Sequence, residues 1–292
     1  MEPSQYLYKA ALSAAQMWSS AAASQIRRYP LRNRLTLLTG AGGNIVIFPG
    51  TDGTLAVDSG LVSAEGHLKA ALQDLEVEPL RHLINTHWHF DHTGGNAWMN
   101  REGATVIAHE NSRRRMSSSQ TIPAFDVVVP ASPNAALPTI VFPERQTILV
   151  DNEVIELRRR TPAHTDTDIS VFFSKANVLH TGDTWFTGTY PFIDYDSGGS
   201  IRGLIVAATE NISQADNETL VVAGHGEIGG REDLLKFREM LLSICDKVAT
   251  LKAAGRSLEG VVAEKPTSGF DDRWAGGLVG PELFISLVYR GV

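Results

Sequence analysis

Four side chains able to bind a metal stand within the six residues His87-Trp-His-Phe-Asp-His92, a density that packing alone does not call for. The stretch ahead of them, Leu80 to Thr86, is apolar, alternating and β-branched near its end, so it reads as a buried strand running into a loop. If the chain stays extended through the run, His87 and His89 point the same way, because side chains alternate along a strand. Both could then reach one metal. Asp91 and His92 follow as the chain turns at Thr93-Gly94-Gly95, so they can face a second metal beside the first. Neutral imidazole and carboxylate are ligands that suit borderline cations such as zinc.

The remaining histidines extend the pattern. The chain has 9 in all. His164 lies in the loop Thr161-Pro-Ala-His-Thr-Asp166, between two alternating apolar segments. Asp183 closes the strand-like run Asn177 to Asp183, and His225 sits where the apolar run from Val221 breaks into glycines. In each case a strand finishes and a ligand-type residue stands at its mouth, often beside a glycine that lets backbone approach closely. His67 reads as a surface residue of a helix and His82 as a residue inside a strand. His180 lies three positions before Asp183, so alternation points it away from that carboxylate, toward the core or behind the ligands. The sequence does not assign His109.

The ordered set His-x-His-x-Asp-His, then Pro-x-His, Thr-Gly-Asp and Gly-His-Gly resembles the metallo-β-lactamase superfamily, with the likeness running from about residue 34 to about residue 228. The resemblance implies an α+β fold, a four-layer αββα sandwich. It implies that His87, His89 and His164 hold one divalent ion and that Asp91, His92 and His225 hold another. Asp183 would bridge the two. The ions implied are two zincs, with iron or manganese as alternatives. In the subclass that binds metal through a cysteine, that ligand stands where this chain has Asp183. The single Cys245 lies far from the motifs and reads as a core residue of a helix.

Composition fits one large domain: 292 residues at 43% hydrophobic are enough for a substantial core. No apolar run approaches the ~20 residues of a membrane span. Strands are expected at Arg34–Gly40, Asn44–Phe48, Thr54–Asp58, Thr105–His109, Ile169–Phe173 and Val178–Gly182, with a hairpin over Thr147–Leu157 turning at Asp151-Asn152. Helices are expected at Ser63–Leu75, Arg231–Ala254 and Pro281–Tyr289. Met1 to Arg28 is Ala-rich with helical spacing and reads as an amphipathic helix. It lacks the basic start and continuous apolar stretch of a secretory signal, which leaves cytoplasm and periplasm both open. The expected organisation is a helical extension over 1–30 and a hydrolase domain over 31–292 closed by helices.

Two ions sharing a water would lower its pKa toward neutrality, so that hydroxide is available near pH 7. Asp91 can bind through one oxygen and orient or deprotonate the nucleophile with the other. The aromatic segment Trp185 to Tyr195 follows Asp183 directly. It reads either as one wall of the pocket, with Tyr190 as a donor to the developing oxyanion, or as core with Tyr190 at the rim. Ser117 to Pro143, rich in Pro, Ala, Ser and Thr, could lie over the site as a lid. With 33 acidic against 26 basic residues and only the short runs Arg113–Arg115 and Arg158–Arg160, nucleic acid is not the expected partner. The reading that remains is hydrolysis of a small ester, lactone, thioester or β-lactam. The alternatives are a mononuclear iron dioxygenase of the same fold and a non-catalytic metal-binding protein. Sequence leaves the substrate and the oligomeric state open.

Overall fold

In the computed structural model, which describes residues 25–77 and 79–292, consecutive apolar residues divide between the two faces of a sheet. Leu37, Val46 and Phe48 enter one hydrophobic cluster, while their neighbours Leu38, Ile45 and Ile47 enter another. That is the period-two pattern of strands covered on both sides.

The first sheet runs in the order β1 (Arg27–Pro30), β2 (Thr36–Thr39), β3 (Ile45–Gly50), β4 (Gly53–Val57), β5 (Leu80–Ile84), β6 (Thr105–His109) and β9 (Ile140–Phe142). Pairing is antiparallel from β1 to β4 and parallel from β4 to β9. The second sheet is β10 (Arg145–Val150), β11 (Glu153–Arg159), β12 (Ile169–Phe173), β13 (Val178–His180) and β14 (Leu220–Val222), antiparallel except for the last pair. Parallel neighbours need a crossover. The helix Glu65–Asp74 links β4 to β5, and Ile201–Gln214, capped by the Ser200 hydroxyl, links β13 to β14.

Three clusters fill three interfaces. Leu37, Phe48 and Val57 of the first sheet meet Ile155, Val171 and Phe173 of the second. Ile47, Ala56 and Leu83 pack outward under Leu68 and Trp98. Leu179, Val221 and Ala223 pack outward under Leu204, Phe237 and Phe284 of the helices Ile201–Gln214, Arg231–Ala253 and Pro281–Gly291. The result is the expected four-layer αββα sandwich.

The β10–β11 hairpin turns at Asp151 and Asn152 as expected, with Val150 opposite Glu153 and Asp151 in the left-handed region at φ 53°. The expected N-terminal helix lies outside the described residues up to position 24. Arg27 to Pro30, assigned to that extension from sequence, instead pair with β2 as an exposed edge strand, so the sheet starts before residue 31. The presumed lid Ser117–Pro143 has structure of its own: a hairpin of β7 (Gln120–Ile122) and β8 (Val127–Val129), then β9.

Candidate metal centre

Five loops that follow strands meet at one end of the sandwich. They leave β4 at Asp58, β5 at His87, β11 at His164, β13 at Asp183 and β14 at His225. The His-rich run does not stay extended. It bends through Thr86–Trp88 and closes a short helical turn, Phe90–Thr93, with His89 at its N-cap. The bend, rather than strand alternation, brings the rings of His87 and His89 within 4.9 Å. Glycines let the backbone close in. A side chain at Gly43 would strike the His92 ring, and one at Gly224 the Asp183 carboxylate.

All seven sequence candidates converge. The ligand atoms of His87, His89 and His164 form one group within 4.8 Å of one another; His87, His92 and Asp183 form a second, and Asp91, His92 and His225 a third. Asp183 lies between them. Its Oδ2 is 3.9 Å from His87 Nε2, 3.5 Å from His164 Nε2 and 3.5 Å from His225 Nε2, and its Oδ1 is 3.2 Å from His92 Nε2. Asp91 Oδ2 is 3.2 Å from His225 Nε2.

Outer partners decide which nitrogen of each ring faces inward. His92 Nδ1 donates to Asp58 Oδ2 at 2.8 Å, His89 Nε2 to Asp194 Oδ2 at 3.0 Å, and His164 Nδ1 to the Phe192 carbonyl at 2.8 Å. The Thr86 hydroxyl donates to Asp58 at 2.7 Å, so it accepts from His87 Nδ1 at 3.1 Å. With those protons outside, His89 Nδ1 and His164 Nε2 turn lone pairs toward each other at 2.8 Å. Such an arrangement needs a cation or a proton between the rings. His87 Nε2 and Asp183 Oδ1 are buried with no hydrogen bond, and buried polar atoms rarely go unsatisfied without a reason. The donor set therefore fits divalent ions, with imidazoles held by carboxylate and carbonyl as metal-binding histidines usually are.

Electrostatics follow from the same crowding. Burial alone would lower the His92 and His225 imidazoles, but Asp183 and Asp91 outweigh it, raising His92 well above the usual value and His225 to about 9. Burial pushes His164 down to about 4, and lowers His87 as well. Against the opposing effect of burial, His92 and His225 hold the Asp91 carboxyl well below the ordinary carboxylate range. Asp168, which accepts from the His164 and Thr165 amides and shapes that loop, is pushed up to about 7 by burial.

The centre opens into a cavity of about 240 Å³ whose walls are mostly aromatic and aliphatic. Tyr190 lines it, but not in the pose that an oxyanion donor needs. Its hydroxyl donates to Asp271 at 2.8 Å, and its ring stacks on Phe284 at 4.7 Å. The Asp271 carboxylate, a strong acceptor, already holds that hydroxyl's proton. Tyr195 likewise donates elsewhere, to the Leu287 carbonyl.

His180 is buried behind the ligands with Nε2 3.2 Å from the Asn44 carbonyl, and His109 caps the helix Glu110–Met116. His82 is half-buried in β5, His67 is exposed on its helix, and Cys245 is half-buried against the helical core. The two arginine runs are largely paired within the fold, Arg114 and Arg115 with Asp166, Arg158 with Glu156 and Arg159 with Glu144. Among the described residues no helix is long and apolar enough to cross a membrane. Sequence reasoning missed Asp58 and Asp194. Asp58 carried the same signal as Asp183, a carboxylate at a strand end beside Ser59-Gly60.

A family model described as the metallo-beta-lactamase superfamily matches residues 36–225. A probable metallo-hydrolase of Methanocaldococcus jannaschii is 27% identical over 191 residues, covering 64% of this chain and 85% of the relative. The alpha subunit of 2,4-dinitroanisole O-demethylase from Nocardioides sp. is 27% identical over 169 residues, 56% of this chain. The match spans only 48% of that relative's length. Among solved structures, a metallo-beta-lactamase from Pontibacter korlensis superposes with a TM-score of 0.60 at 18% identity, covering 75% of this chain and 99% of that one.

Proposed function

The chain belongs to the metallo-beta-lactamase superfamily, and on that premise we propose that it is a binuclear metal-dependent hydrolase of a small carbonyl substrate: an ester, lactone, thioester or β-lactam. The observation that carries this reading is the pair of ligand groups joined at Asp183, with His87 Nε2 and Asp183 Oδ1 buried and unsatisfied. His87, His89 and His164 would hold one ion, and Asp91, His92 and His225 the other. When bound, the ions would acidify a water and polarise the substrate carbonyl.

The chain's own groups supply the rest. Asp91 borders both the ligand group and the cavity, so its carboxylate can orient the nucleophile and take its proton. Asp58 and Asp194 accept from the outer nitrogens of His92 and His89, so the inner nitrogens are the ones turned toward the ligand groups. The apolar walls exclude bulk water, which strengthens every charge interaction on the floor. The group of Asp91, His92 and His225 favours two ions over the single iron of a dioxygenase.

Protein stripped with a chelator and reloaded with zinc or manganese, assayed on a panel of esters, lactones, thioesters and β-lactams, tests the reading. Hydrolysis should vanish on chelation and return on reloading. Fully loaded protein that cleaves no carbonyl substrate would overturn it.

A further inference from the structure

Above the polar floor the cavity changes character. Ile122, Phe125, Phe186, Phe192, Leu278 and Val279 form its walls, and among the described residues no Lys or Arg lines it. Two hydroxyls also reach the wall, and both have partners. Thr189 Oγ1 donates to the Tyr190 carbonyl at 3.4 Å, and the Tyr190 hydroxyl donates to Asp271. The walls therefore offer a bound molecule dispersion and burial, with no side-chain charge to pair.

The walls are also held in place. Phe125 and Phe192 pack with ring centroids 4.6 Å apart. Elsewhere in the lining, the backbone of Tyr190 donates to the Trp274 carbonyl at 2.8 Å, and Thr189 bridges to Ala275. Gly277 presses so closely on Thr189 that any side chain there would collide with it. These ties fix the segment carrying Leu278 and Val279, which lies beyond residue 225, where the family match ends. An adjoining cavity shares Phe192 and does contain Arg290. That guanidinium is occupied: it pairs with Asp196 at 3.3 Å and lies over the Tyr195 ring.

We propose that this cavity takes a neutral, apolar acyl or alkyl group of the substrate, and that Phe125, Leu278 and Val279 determine which groups fit. The proposal rests on the hydrolase reading for the position of the scissile carbonyl, which would sit at the ligand floor with its tail against the walls. At about 240 Å³ the space equals roughly eight water volumes, room for a medium-length chain or one substituted ring. A methylene buried there gains roughly fourfold in affinity. A carboxylate at the end of the same tail would be stripped of water with no cation to receive it.

Three p-nitrophenyl esters test this on the metal-loaded protein: the acetate, the octanoate and the half-ester of suberic acid. The octanoate should exceed both others in kcat/KM by about tenfold or more, less than full burial of its six extra methylenes would give. Leu278→Arg should shift the preference toward the half-ester, whereas Leu278→Gln, polar but uncharged, should not. Calorimetry with 2-octanone and 2-butanone, which cannot be hydrolysed, gives a readout without turnover. The longer ketone should bind about tenfold more tightly or better. If 2-octanone binds so and no ester is cleaved, the apolar site stands and the hydrolase reading falls. If esters are cleaved but chain length and terminal charge make no difference, the hydrolase reading stands and the proposal is overturned.

Discussion

On the floor of the cavity, His89 and His164 are buried polar groups, each turned to a fixed orientation by a carboxylate or carbonyl behind it. On one part of its wall, Leu278 and Val279 touch the same space with side chains that have nothing polar to satisfy. The floor lies inside the segment that matches the family model, and that wall lies outside it. Their physics differs accordingly. Floor groups are costly to bury unpaired and permit almost no substitution, whereas wall groups need only volume and apolar surface. A chain can therefore keep one chemistry on the floor while the wall changes which molecules reach it.

The largest effect should come from the floor. Asp91→Asn keeps the size of the side chain but loses the proton acceptor. Hydrolysis should fall by about a hundredfold or more at saturating metal, the scale of losing a general base. A variant that holds its full metal complement and turns over at the parental rate would remove Asp91 from the chemistry. One layer further out, Asp58→Ala deletes the carboxylate behind His92 and should weaken metal binding by about ten- to a hundredfold. Competition against a chromophoric chelator reads this directly, and unchanged affinity would make Asp58 merely structural.

Acidity separates floor from wall in another way. In the metal-free protein His225 is raised to about 9 and His92 lies well above its usual value, so both carry protons at neutral pH. These charges stabilise the metal-free fold fully below the unfolded histidine value, and the contribution is lost as pH rises through the folded values. Metal must displace the same protons. Apparent metal affinity should therefore rise with pH, by about tenfold per unit for each proton displaced, up to about pH 9. Affinity for 2-octanone should stay flat over the same range. Metal affinity that is equally flat would contradict the charge arrangement of the floor.

The smallest effect belongs to a wall residue that sequence placed in the chemistry. Tyr190→Phe removes the donor to Asp271 and leaves the ring stacked on Phe284. It should cost about 1 kcal/mol of stability and leave turnover nearly unchanged. A large fall in kcat with no change in melting temperature would return Tyr190 to the oxyanion.

Legibility follows the same division. The floor was readable because metal chemistry demands His and Asp at strand ends, and all seven candidates meet there. Most strands of the two sheets were readable from alternation, down to the two-residue turn at Asp151-Asn152, but β1 and β7 to β9 were not. The helix Ile201–Gln214 went unseen although Ser200 caps it and Ile201, Leu204, Ala208 and Ile212 mark its buried face. Its position next to the glycines at 198 and 199 disguised its start. Asp194 was hidden in an aromatic segment that drew the reading toward Tyr190. The wall was unreadable for a plainer reason: Leu278 and Val279 differ from any core residue only in facing a cavity, which periodicity does not record.

Counting metal on the loaded, desalted protein tests the two-ion floor most directly. Elemental analysis should give about two divalent ions per chain, as shared-hydroxide centres hold. His225→Ala, which empties only the group of Asp91, His92 and His225, should give about one. A parental value of one that His225→Ala leaves unchanged would contradict the binuclear centre.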